Sequence, residues 1–221
     1  MTQPVSILPF PIPFCPILYH PRVDDLISFA VAALMAITAH AEAQAFMATL
    51  LGDAQEKNPK RFHFNAFLHL DIAGTLCFIA AGFGWPRHVQ IQSERFSRPR
   101  LYTVLSYLAG PVSNLFLASI AGSVVWLYQH FGVEDRVFRM VATVNLTVAV
   151  YHLLPIPPLA ASSIWPALFP SLMKRWASRT WQTVGAAVLI LYFGFEQITA
   201  HPFISDKLTE MIMALYHVII P

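Results

Sequence analysis

The sequence predicts an all-α integral membrane protein of four to six transmembrane helices, with a small β element at one membrane face. Three observations carry this expectation. Hydrophobic residues fill 56% of the 221 positions and charged residues only 12%, with a mean hydropathy of +0.55, which is too apolar for an ordinary soluble domain. Apolar runs recur at about 17–25 residues, the length that crosses a bilayer as a helix. Charges gather between those runs, in GDAQEKNPKR, RHVQIQSERFSRPR, VEDRVFR and MKRWASR.

Residues 1–24 form a Pro-rich leader. It has no basic n-region, and prolines interrupt its apolar stretch, so it is expected to be extended rather than a secretory signal, lying on the membrane surface or against a partner. The candidate spans follow as Leu26–Leu51, Phe67–Trp85, Tyr102–His130, Val141–Pro155 running on past Pro158, Trp181–Ala200 and a weaker Phe203–Ile220. RFHFN (Arg61–Asn65) and HVQIQ (His88–Gln92) alternate like short strands and supply the β element. Counted under alternating spans, eight Lys and Arg fall on the N-terminal side and six on the other, which favours a cytoplasmic N-terminus. Cys15 and Cys77 lie far apart, one in the leader and one in a span, so no structural disulfide is expected. A formal net charge of +2 gives no reason to expect nucleic acid as a partner.

Two stretches differ from generic lipid-facing helices. AHAEAQAFMATLLGD (Ala39–Asp53) crowds a His, a Glu and a Gln into an apolar helical run. NLTVAVYHLLPIPPLAA (Asn145–Ala161) carries prolines that break a helix at depth, and the freed carbonyls there need partners in protein or in a water-lined cavity.

These landmarks, in order and spacing, resemble the site-2 protease family of intramembrane zinc metalloproteases from about Ala32 to Ser162. The resemblance rests on His40, Ala48, Gly52 and Asp53, then on His69, Asp71, Gly74 and Thr75. GFGW (Gly82–Trp85), AGPVSN (Ala109–Asn114) and LLPIPPL (Leu153–Leu159) complete it. It implies a membrane core over residues 25–162 like that of the family, followed by C-terminal helices over 163–221.

The family's chemistry does not carry over position by position. A catalytic zinc needs three protein ligands and an open position for water. In the resemblance, the first His is His40, but the general-base Glu position is Ala41, the second His is Gln44, and the Asp of the Pro-rich segment is Ala160. Glu42 does not substitute, because at about 100° per residue it points roughly 200° round the helix from His40. The reading is therefore a degenerate member, a pseudoprotease with no catalytic residues and no expected cofactor. It would serve as scaffold, accessory subunit or assembly factor among membrane lipids and other membrane subunits.

The family's Asn before Leu-Leu-Pro is His152, which adds a ligand-capable group near the former site. His40 and His152 are then either hydrogen-bonded buried histidines, a zinc or other metal site, or the axial pair of a haem. An altered-ligand metalloprotease and a haem- or pigment-binding subunit stand as alternative functions. Glu42, a carboxylate at membrane depth, must meet another helix of this chain or a partner protein.

Overall fold

The computed structural model describes residue 14 and residues 21–53, 62–169, 178–199 and 203–220. Most of the leader, Cys15, Arg61, residues 54–60, residues 170–177 and Ala200 lie outside the described residues. Seven α-helices are described: α1 Val23–Leu50, α2 Ile72–Ala81, α3 Pro99–His130, α4 Val137–Tyr151, α5 Ala160–Leu168, α6 Arg179–Thr199 and α7 Ile204–Ile219.

Among the described residues, α1 and α3 are long and apolar enough to cross a membrane, while α2 and α4 are apolar but shorter. Their lengths have local causes. Asp24 and Asp25 occupy the first turn of α1, where a helix N-terminus favours negative charge. α3 starts on Pro99, a residue suited to the first helical position. α4 ends at Tyr151 with His152 as its C-cap, just before the Pro-rich segment that cannot continue it.

The core is a three-helix arrangement of α1, α3 and α4. Every residue from Met140 to Tyr151 is buried, so α4 is the central helix. α1 meets its neighbours through buried alanines at positions 32, 36, 41, 45 and 48, and side chains this small let backbones approach closely. Asp25 near the start of α1 pairs with Arg136 at the N-cap of α4 at 3.6 Å, which sets those two helix starts side by side. α2 packs on α6, α5 on α3 and α7 on α4. Phe14 is buried against Phe29, ring centroids 5.0 Å apart, which pins one point of the leader to the core.

α7 is capped by a side chain from the preceding helix. Buried Glu196 accepts from the N–H groups of Phe203 (2.7 Å), Ile204 (2.9 Å) and Ser205 (3.3 Å), from the Ser205 hydroxyl, and from Tyr192 at 2.8 Å. One carboxylate thereby satisfies the donors that a helix start leaves open.

The expected strand pair differs from what is observed. Among the described residues there is no strand, only one antiparallel bridge between Leu70 and Pro86, extended by the Arg87 N–H donating to the His69 carbonyl at 2.7 Å. The two segments expected to pair have other commitments. The His63 N–H donates to Glu42 and the Gln92 N–H to Asp53, so neither is free for a ladder.

Candidate functional site

His40 and Gln44, one turn apart on α1, face α3. At Gly110 of α3 a Cβ would run into the His40 ring, so this close approach requires glycine. The rest of AGPVSN grips the same stretch of α1. Ser113 Oγ donates to the Ala39 carbonyl at 3.1 Å, and Asn114 Nδ2 donates to the Ala36 carbonyl at 2.9 Å. Asn114 Oδ1 lies 2.7 Å from His40 Nδ1, and its Nδ2 also reaches Asn145 Oδ1 on α4 at 2.9 Å.

This network assigns the tautomer. His40 donates from Nδ1 to the Asn114 oxygen, which leaves Nε2 as an acceptor for the Gln44 amide at 3.1 Å. The other proton of that amide goes to the Tyr107 carbonyl at 3.2 Å. His40 is 1% exposed, Gln44 5% and Asn114 0%, so these groups satisfy one another away from water.

His152 closes the site from the C-terminal end of α4. Its ring centroid is 4.0 Å from that of His40, the planes tilted by 48°. Its Nδ1 accepts from the Ala160 N–H at 3.2 Å, and its carbonyl from the Ala161 N–H at 3.0 Å. The Pro-rich segment thus folds back onto the histidine it follows. His152 Nε2 has no partner in hydrogen-bond geometry among the described residues, although the Gly84 carbonyl is beside it. The void lined by His40, Gln44, His152, Tyr107, Pro86 and Ala160 is about 10 Å³, room for about one water. Beside it, a cleft of about 380 Å³ opens between α3, α5 and the segment around His88–Ser93, with Tyr107 and Ser163 bordering both.

The other landmarks build the frame around this site. Asp71 caps α2 by accepting from the Gly74 N–H at 2.9 Å, and the same Oδ1 takes the Trp85 indole N–H at 3.1 Å. Gly84 lies on the Gly74 carbonyl where no Cβ fits. Phe83 stacks on Tyr151 at 3.9 Å, joining this clamp to α4. Asp53 accepts from the Gln92 N–H at 3.0 Å, tying the end of α1 to the segment before α3.

The chain has a relative among known proteins. It is 36% identical over 186 residues, 80% of this chain and 84% of the other, to the Bacillus subtilis (strain 168) protein named "Putative zinc metalloprotease YwhC". It belongs to the site-2-protease-like family of zinc metalloproteases. No protein-family profile and no solved structure matches it.

The residues at the family's zinc position do not fit a catalytic zinc. On the resemblance's mapping, His40 Nε2 is taken by the Gln44 amide and Ala160 brings no carboxylate, so the three-ligand set is incomplete, and Ala41 offers no base. The 4.0 Å contact between the His40 and His152 rings likewise leaves no room for a macrocycle and its iron between them.

Glu42 looks the other way, to the segment after α1. It is 5% exposed, and its Oε1 accepts from His69 Nε2 at 2.9 Å and from the His63 N–H at 2.9 Å. His63 was read from sequence only as part of a strand-like alternation. Its signal was chemical instead: a buried carboxylate needs partners, and two histidines lie six residues apart in the connection that follows.

Proposed function

We propose that this chain is a non-hydrolytic member of its family, a membrane scaffold serving as an accessory or assembly subunit of a larger complex. The observation that carries the proposal is the closed network at the former zinc position. There Gln44 caps the one inherited imidazole, and alanines stand where the base and the acidic ligand would be. A site in which His40, Gln44 and Asn114 satisfy one another, with room for about one water, is poorly suited to holding a peptide bond for hydrolysis. The adjoining 380 Å³ cleft is suited to lodging a segment of a partner without cutting it.

The membrane setting proposed is that of four to six spans with the N-terminus cytoplasmic. Large apolar side chains on the outer faces favour contact with lipid or with apolar partner helices, as at Phe116 (68% exposed), Leu191 (72%), Ile198 (80%) and Val218 (80%). The test is purification of the full chain in mild detergent from the host that makes it. Co-purifying proteins are identified, and the sample is incubated with a transmembrane reporter peptide. A stoichiometric membrane partner and an intact reporter are expected. Cleavage that His40→Ala abolishes, or a chain that emerges alone, overturns the proposal.

A second reading, an intramembrane metalloprotease with altered ligands, draws on the name of the relative and on the presence of Glu42, His63 and His69 in one cluster. The same assay separates it, since it requires cleavage that survives His40→Ala and stops in Glu42→Gln.

A further inference from the structure

The strongest feature lies outside the former active site, on the opposite side of α1. We propose that Glu42, His63 and His69 form a site for a divalent transition metal, zinc by preference, which staples the segment after α1 to the helix.

The three candidate ligand atoms, one from each residue, lie within 4.8 Å of one another. Glu42 Oε1 is 2.9 Å from His69 Nε2 and 3.8 Å from His63 Nδ1, and the two imidazole centroids are 4.4 Å apart. One carboxylate and two imidazoles make a donor set that zinc takes in proteins, with a fourth position left for water. The second observation is what the cluster leaves undone. Glu42 Oε2 and His63 Nδ1 are buried and have no hydrogen-bond partner among the described residues. All the donors reaching the carboxylate converge on Oε1, while an acceptor and an imidazole nitrogen stand idle beside it. A cation bound by Glu42, His63 Nδ1 and His69 Nε2 employs both idle atoms and replaces the proton on His69 Nε2. In the hydrogen-bonded tether only the His63 backbone N–H and carbonyl take part, while its ring lies against His69 with Nδ1 facing the carboxylate.

The family's zinc position lies at His40, so this site is separate from it, and the chain need not hydrolyse anything for it to be filled. The experiment is a titration of detergent-purified, chelator-stripped full-length protein with zinc, and with cobalt for its visible ligand-field bands. One equivalent is expected, with the cobalt bands of a four-coordinate mixed nitrogen and oxygen site. His40→Ala leaves both unchanged. His63→Ala keeps the backbone tether and the metal-free melting temperature, yet weakens binding by at least the roughly 10–100-fold that loss of an outer-shell partner costs. Glu42→Gln and His69→Ala weaken it as much or more. No binding at micromolar zinc overturns the inference, and so does binding that survives His63→Ala or is lost in His40→Ala. That last outcome also counts against the non-hydrolytic reading, whereas absence of binding leaves that reading standing.

Discussion

His40 and Glu42 are two residues apart on α1, yet the helix turns them to opposite sides, and the two sides handle buried polarity differently. Around His40, the ring nitrogens and the amide protons of Gln44 and Asn114 meet partners drawn from α1, α3 and α4. Around Glu42, one oxygen is served twice and the other has no partner among the described residues. The polar groups on α1 and α3 beside His40 pair with one another, and His152 Nε2 is the one atom of that site without a partner among the described residues. A cluster with idle buried donors and acceptors has room for a further ligand.

This contrast breaks or sharpens at four positions, in order of expected effect. Gly110→Leu drives a side chain into the His40 ring and should cost about 3 kcal/mol, the upper range for overpacking a tight contact. The check is thermal unfolding in detergent, and a melting temperature within a degree of the parent would mean that α1 and α3 do not approach as described. Asn114→Leu strands the His40 Nδ1–H and the Asn145 oxygen, for about 2 kcal/mol. Stability equal to the parent in the same measurement would show that the network is not closed.

The remaining two positions probe the Glu42 side. Glu42→Gln keeps an acceptor for His63 and His69 but loses the charge, and should cost about 1 kcal/mol in metal-free protein. A stabilised variant would show that the buried carboxylate is a net burden even when paired. His63→Ala in metal-free protein should change stability by less than about 0.5 kcal/mol, because the tether runs through its backbone. A loss as large as that of Asn114→Leu would reveal a structural role for the imidazole and remove the asymmetry between the two sides.

Much of the architecture was legible beforehand. The apolar runs anticipated α1 and α3 closely, because length and hydropathy are local properties. They anticipated the central helix less well. The run expected over Val141–Pro155 is observed as the helix Val137–Tyr151, shifted by about one turn and buried from Met140 onward by its neighbours. An apolar run surrounded by protein and one surrounded by lipid have the same composition. The strand-like alternation of RFHFN and HVQIQ misled for a related reason: alternation records which way side chains point, but backbone partners are chosen by whatever polar groups lie nearby, here Glu42 and Asp53.

The sequence alone set the resemblance's ligand and base positions on Ala41, Gln44 and Ala160, and turned Glu42 away from the His40 face, because helical rotation follows from spacing. Only the tertiary structure decided what stands against each face of the helix. Asn114 and Gly110 come to His40 from α3, and His69 comes to Glu42 from 27 residues along the chain. Contacts across such distances in sequence depend on how the helices pack, and no periodicity within α1 encodes them.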